Sequence, residues 1–483
     1  MTAAARHSQA MHFHARAGEK VRDEGLQKAL QKAKPLFVGK RAKGMVALAD
    51  DGLAFEMLRT ACVDIRNRVL EDLDVWLEIF EARATASGAE VLWARDGDEI
   101  CELVIDVARR HGVSKATKSK SMLSEEAHLN EALAAAGIRP VETDLGEYII
   151  QLAGETPSHI IAPAVHKTIA EVEALFAREH GRPAETRTSA DIPAMAREAR
   201  QVLREHFLSA EMGISGANFL IAETGSAALV TNEGNGRMVT TLPKVHVVIT
   251  GIEKIVPTQE DFATLMRLLP RSATGQTISN YVSLLTGTKQ PGDTDGPEKT
   301  VFILVDNGRA NLLGSVYQEM LRCIRCGACM NHCPVYLSLG GHAYGWVYPG
   351  PMGSVLTPLF TCIENALDLP HASTGCQQCA AVCPVGIPLP GLMQRLREAQ
   401  VERRLRPRGA SLALKAWAWA WLAGKPALYR WVMRRTARYL NWLGDANGRI
   451  PWLGQAPGWS EGRDLGAPVG KTFHELYAAR KRV

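Results

Sequence analysis

Eight of the ten cysteines in this chain lie between Cys323 and Cys383 inclusive. The first four read Cys323-Ile-Arg-Cys326-Gly-Ala-Cys329-Met-Asn-His-Cys333-Pro334. This C-x2-C-x2-C-x3-C-P spacing wraps three thiolates around one iron–sulfur cube and carries the fourth, next to proline, to a neighbouring cluster. A second set, Cys376-Gln-Gln-Cys379-Ala-Ala-Val-Cys383-Pro384, follows, with Cys362 upstream. The swapped-ligand logic assigns Cys323, Cys326, Cys329 and Cys383 to a first cluster and Cys333, Cys376 and Cys379 to a second. The prolines stop each loop from continuing as a helix, and Gly327 allows close approach of backbone to sulfide.

The second motif is an incomplete copy. Ser373 stands where a full quartet would begin with cysteine. Three outcomes stay open: Cys362 supplies the fourth thiolate, Ser373 coordinates through oxygen, or the cluster holds three irons. Thiolate is the softer donor and therefore the preferred one. The first cluster is expected to be 4Fe–4S and the second either 4Fe–4S or 3Fe–4S. Structural zinc fits poorly, because two C-P endings and an added x2-C step are not a zinc pattern. His332 and His342 read as structural histidines, and Cys62 and Cys101 as core thiols. Electrons are expected to pass through such a chain.

At 483 residues the chain exceeds the ~250–300 residues at which one core stops growing. The texture predicts three regions: an α/β domain with N-terminal helices over 1–305, a mainly α-helical two-cluster ferredoxin over 306–400, and a helical extension over 401–483. Strand-like runs alternate with amphipathic helices in the first region. The strand candidates are AEVLWA (89–94), IRPVETD (138–144), HIIAPAV (159–165), NFLIAET (218–224), AALVTNEG (227–234), VHVVITGI (245–252) and TVFILVDN (300–307). Residues 51–88 read as a long helical segment outside the sheet.

The composition, 46% hydrophobic and 22% charged, is that of a globular protein, and the net charge of +5 argues neither for nor against nucleic acid. No nucleic-acid partner is expected. The N-terminal stretch has no secretory pattern, and no run of 18 apolar residues is present. Clustered thiolates need a reducing compartment, so the expected location is cytoplasmic, with peripheral contact at the inner membrane face as an extension of that reading. The last region carries Trp417, Trp419, Trp421, Trp431, Trp442, Trp452 and Trp459 with Arg430, Arg434, Arg435 and Arg438 among them. Partner docking is the preferred reading of this tail, with self-packing and a membrane surface as alternatives.

Polar and glycine residues gather at strand ends in Gly213–Ser226, Thr231–Arg237 and Leu242–His246, where open α/β sheets place ligands. The spacing is neither GxGxxG nor a Walker loop. The loop Lys118–Ser121 reads as a solvated turn, with anion binding as its alternative. Together KSKSMLSEE (118–126), residues 142–167, GISGANFLIAETGSAALVTNEGNGR (213–237), LPKVHVVITGIEKIVPT (242–258), the cysteine region and CPVGIPLP resemble the lactate utilization protein B family. The resemblance spans nearly the whole chain.

That resemblance implies a LUD domain of the NagB/RpiA/CoA-transferase-like type joined to an α-helical ferredoxin. It further implies a three-component iron–sulfur system oxidising L-lactate to pyruvate. The implied partners are a cysteine-rich, heterodisulfide-reductase-like subunit and a smaller LUD-domain protein, with a quinone-linked acceptor as a further candidate. The family's full second quartet is not matched at Ser373. In CoA-transferase-like folds a glutamate can act as nucleophile, which draws attention to Glu223; Asn218, Glu223 and Lys244 are the candidate pocket residues. The leading expectation is an electron-transfer subunit of an L-lactate oxidising complex. The alternatives are a relay for another 2-hydroxy acid such as glycolate or for a quinone-linked dehydrogenase, and a ligand-binding or acyl-CoA-type enzyme whose clusters are structural.

Overall fold

The computed structural model describes residues 8–181, 191–405, 410–454, 460 and 463–480, with 410–413 described by backbone alone. Trp459 and residues 1–7 of the N-terminal stretch lie outside the described residues. The chain divides into two compact units, Met1–Leu405 and Arg406–Val483.

In the first unit the strands are, in chain order, β1 (Glu90–Ala94), β2 (Lys115–Lys118), β3 (Arg139–Glu142), β4 (Met212–Ser215), β5 (Phe219–Ile221), β6 (Ser226–Thr231), β7 (Val245–Gly251), β8 (Ile255–Val256), β9 (Tyr281–Thr286) and β10 (Lys299–Val305). Six of them form a wholly parallel sheet in the order β1-β10-β7-β4-β2-β3. A second, four-stranded sheet runs β8-β5-β6-β9. The central strand β7 is buried at every residue, as an apolar run covered on both faces should be. Alternate residues serve opposite layers. Val247 and Ile249 pack with Ile100, Val104 and Val107 of the helix Gly97–Arg110. Val248 packs with Leu77, Phe80 and Ala84 of the helix Leu73–Ala86. Asp96 starts the first of these helices by accepting from the Glu99 amide at 3.0 Å.

The strand pattern departs from expectation at HIIAPAV (159–165), which is irregular. Its physical reason is His159, whose Nδ1 accepts from the Ile161 and Ala162 amides at 2.9 and 3.1 Å and curls the backbone. The ring's Nε2 meets Asn331 Oδ1 at 2.8 Å, and Tyr336 donates to the Ser158 carbonyl at 2.9 Å. The segment therefore docks on the cysteine region instead of joining the sheet. Residues 51–88 hold two helices, Phe55–Glu71 and Leu73–Ala86.

The cysteine region is built from short helices, chiefly Ala328–Asn331, Gly350–Thr361, Gln378–Ala381 and Leu389–Glu402. One apolar core runs through it and the α/β part, joining Phe219, Val256 and Leu265 to Met320, Tyr348 and Leu392. Buried Arg66 ties the two together by donating to the carbonyls of Ile255 (2.8 Å) and Leu321 (2.9 Å).

The second unit has helices Ala410–Ala423, Pro426–Trp442 and Phe473–Ala479 and a short pairing of β11 (Arg449–Ile450) with β12 (Leu465–Gly466). Among the described residues no helix is long and apolar enough to cross a membrane.

Candidate functional site

Two cysteine-lined cavities lie in the first unit. The first is walled by Cys323, Cys326, Cys329 and Cys383, with Met320, Ile324, Met352 and Ile387 as apolar lining. Local backbone explains how one loop turns three thiols inward. Arg325 (φ 58°) and Gly327 (φ 73°) are left-handed, and such alternation points successive amides into one concavity, a nest common at iron–sulfur sites. Cys383 arrives from the second motif, and its Sγ accepts from the Ile387 amide at 3.4 Å. Arg41 and Arg59 anchor that motif through the carbonyls of Val382 (3.1 Å) and Ala380 (3.2 Å).

The second cavity is walled by Cys333, Cys376 and Cys379, with Ser373, Thr374 and Met393. Gln377 (φ 64°) repeats the left-handed turn. Cys362 does not line this cavity. It sits exposed at the end of the helix Gly350–Thr361, where Asn365 donates to its Sγ at 3.3 Å. The position nearest to completing a quartet is therefore Ser373, whose Oγ accepts from the Gly375 amide at 3.2 Å. Each cavity has two buried cysteines; Cys323 and Cys329 of the first are half-buried, and Cys376 of the second is exposed.

The donor set fits iron–sulfur clusters: four thiols and three thiols surround separate cavities. Burial pushes the Cys326 and Cys379 thiols up to about 12 and raises Cys333 and Cys383 as well. Such thiols become thiolates only with a compensating cation at hand.

A third cavity, of about 310 Å³, opens at the carboxyl ends of β2, β4 and β7 and reaches Arg325 in the first cysteine loop. It lies where parallel sheets place ligands. Its floor is a buried charge network. Glu253 Oε2 accepts from Arg309 Nε at 2.8 Å, Glu126 accepts from Arg309 and Asn307 at 2.8 Å each, and Tyr348 donates to Glu126. The Arg325 guanidinium lies 4.7 Å from the Tyr348 ring centre. A Cβ at Gly251 would stand 2.1 Å from Glu253 Oε2 and 2.7 Å from Arg309 Nε, so a side chain there would displace this ion pair.

The structure brings Asn218, but neither Glu223 nor Lys244, to this cavity. Glu223 leaves the strand end and accepts from the Gln259 amide at 3.0 Å, at the start of the helix Gln259–Ala273. Lys244 is exposed and 3.9 Å from Glu298. The loop Lys118–Ser121 is no solvated turn: Lys118 is buried against Glu142 at 2.7 Å, and Ser119, Lys120 and Ser121 line the cavity. His332 and His342 donate to the carbonyls of Ala328 (2.9 Å) and Thr156 (2.7 Å) and line neither cysteine cavity. Cys62 is buried and Cys101 half-buried, bonded to Thr264 and Ala127 carbonyls. Sequence reasoning missed Lys254, Arg325, Glu253 and Thr250. The available signal was the polar turn closing VHVVITGIEK, a buried strand ending in Thr-Gly.

Residues 77–305 match the LUD domain family, and residues 319–387 match the 4Fe-4S dicluster domain family. The chain is 39% identical over 472 residues to lactate utilization protein B of Bacillus licheniformis, covering 97% of each chain. It is 38% identical over 475 residues to lactate utilization protein B of Bacillus subtilis, covering 97% of this chain and 96% of that one. An Escherichia coli K12 protein described as the uncharacterized electron transport protein YkgF is 39% identical over 466 residues, 96% of each chain.

Proposed function

The chain belongs to the lactate utilization protein B family, and from that premise we propose that it is the iron–sulfur electron-transfer subunit of a multi-protein system oxidising L-lactate to pyruvate. The observation that carries the reading is the pair of cysteine cavities: each takes thiols from both motifs, so the two sites share one frame. Bound clusters supply one-electron carriers, and the chain supplies their ligands and surroundings.

Cys323, Cys326, Cys329 and Cys383 hold the first cluster, of the 4Fe–4S type. Cys333, Cys376 and Cys379 hold the second, with Ser373 as the neighbouring oxygen and a three-iron cluster as the form that three thiolates favour. The buried site beside the 310 Å³ cavity is the entry side. The exposed Thr374–Gln378 strip is the exit side, where a partner can approach the second cluster. The partners fitting this role are a cysteine-rich, heterodisulfide-reductase-like subunit and a smaller LUD-domain subunit.

The test is anaerobic iron and sulfide quantitation with EPR on the purified protein, followed by addition of L-lactate to the reconstituted complex. Lactate-dependent reduction of both clusters is expected. Lactate turnover by the complex with Cys326→Ser and Cys379→Ser combined would sink the relay.

A further inference from the structure

Three strand ends and the first cysteine loop converge on a cavity lined by both signs of charge. Its cations are Lys120, Lys254, Arg309 and Arg325. The Glu126–Arg309–Glu253–Arg325 network pairs two carboxylates with two guanidiniums: Arg309 lies 2.8 Å from each glutamate and Arg325 lies 3.5 Å from Glu253. The network has as many carboxylates as guanidiniums, and Lys254, beside Glu253 but without a salt bridge of its own among the described residues, adds a further cation to the lining. Asp144 and Glu233 line the same cavity. Burial and the Asp144 carboxylate raise Glu233 above the usual carboxylate range, so Glu233 is suited to take up a proton.

Two hydroxyls of the lining lack partners. Ser119 is 4% exposed and Thr250 2% exposed; both line the cavity, and neither Ser119 Oγ nor Thr250 Oγ1 has a hydrogen-bond partner. Leaving a buried hydroxyl unbonded costs about 1–3 kcal/mol, so two such residues in the wall of one cavity mark a place where something polar binds. A multiply charged phosphate would face Asp144, Glu233 and Glu253 in the same lining. A singly charged carboxylate with an adjacent hydroxyl suits a lining that carries both signs of charge.

We infer that this cavity binds a small 2-hydroxycarboxylate or its 2-oxo product, with the carboxylate on Lys254 and Arg325 and the oxygen substituent towards Ser119, Thr250 and Glu233. The choice of a 2-hydroxy acid rests on the lactate-oxidation reading; the anion chemistry rests on the residues. Arg325 is both a wall of the cavity and a member of the Cys323–Cys326 loop, so an occupant lies beside the first cluster site. Its place in this chain makes the LUD domain a substrate-binding element, not only a scaffold.

The test is isothermal titration of the anaerobically purified, cluster-loaded full-length protein with L-lactate, pyruvate and inorganic phosphate. Saturable binding of L-lactate or pyruvate is expected, weakened about tenfold or more by Lys254→Gln and by Thr250→Val and unchanged by the surface control Lys28→Gln. Ser119→Ala gives a third reading if either of the first two fails to fold. No carboxylate binding, or binding of phosphate alone, overturns the proposal. So does a shift in the first cluster's potential in Lys254→Gln with carboxylate binding unchanged, which would assign the lysine to the cluster alone. The relay reading is scored separately by cluster reduction in the reconstituted complex: an intact relay without binding here sinks only this site.

Discussion

Arg325 Nη2 lies 3.5 Å from Glu253 Oε1, and this contact ties the loop of the first cysteine motif to the end of the central strand. Glu253 simultaneously holds Arg309 at 2.8 Å, so one carboxylate serves two buried guanidiniums from different parts of the chain. These guanidiniums and nearby Lys254 hold Glu253 down at about 2 despite its burial. A cavity at the sheet end and a cluster loop are thereby mechanically joined.

Replacing Glu253 by Gln keeps the shape but strips Arg325 of its carboxylate, while Arg309 keeps only Glu126. The expected loss is about 3–5 kcal/mol, the usual result of leaving a buried charge unpaired. Urea unfolding of the cluster-loaded protein measures it. Adding Arg325→Met should return part of the loss, because the cation left without a carboxylate is then gone. Glu253→Gln within about 0.5 kcal/mol of the parent would show that the network does not hold the loop.

The second cluster site makes a sharper discrimination. Cys362 is exposed and outside the cavity, so Cys362→Ala should leave iron content and EPR spectra unchanged. Cys376→Ala and Cys379→Ala should each lose the second cluster while the first survives. Ser373→Cys should complete a thiolate quartet and convert a three-iron signal to the four-iron form. Loss of the second cluster in Cys362→Ala would reinstate that thiol as a ligand and overturn the assignment to Ser373's position.

The cysteine spacing made the two thiol groups legible because ligation depends on local loop geometry, which the sequence carries within a few residues. The buried strands β7 and β10 were equally legible as continuous apolar runs. The four-residue strands β2 (Lys-Ala-Thr-Lys) and β4 (Met-Gly-Ile-Ser) were not, since neither has the length or periodicity that marks a strand. HIIAPAV looks like a strand, yet a single histidine ring rewrites its backbone. Likewise Arg325 and Lys254 meet only after folding, with 70 intervening positions. Glu223 and Lys244 drew attention by lying at strand ends, but one accepts from an amide at the start of a helix and the other faces solvent.

Glu147 supplies a pH signature. Burial, with the neighbouring Glu142, Glu125 and Asp144 carboxylates, pushes it up from 4.5 to about 8, although Lys120 opposes the shift; that ammonium stands 3.6 Å away. The folded protein therefore binds a proton more tightly than the unfolded chain. This contribution to stability is complete below the ordinary carboxylate pKa and is lost as pH rises through about 8. Glu147→Gln removes the titration. Its urea midpoint, compared with the parent at about pH 5.5 and about pH 8.5, should gain on the parent at the higher pH. An equal difference at both values would refute the assignment.

The C-terminal unit bears the last prediction. Trp417, Trp431 and Trp442 are 63%, 55% and 75% exposed, and cations stand over their neighbours or themselves: Lys425 over Trp421 at 3.9 Å and Arg435 over Trp431 at 5.4 Å. Aromatic and arginine side chains of this kind are the commonest anchors of protein interfaces, each worth about 2 kcal/mol or more when buried by a partner. Because Met1–Leu405 is a compact unit by itself and contains every cysteine, deleting residues 406–483 should preserve iron content and the melting transition of that unit. It should abolish co-elution with the other iron–sulfur components on size exclusion, and Trp431→Ser with Trp442→Ser should weaken it in the full chain. Retained co-elution after the deletion would move the docking surface elsewhere. Loss of vesicle binding, with co-elution intact, would assign the tryptophans to a lipid surface instead.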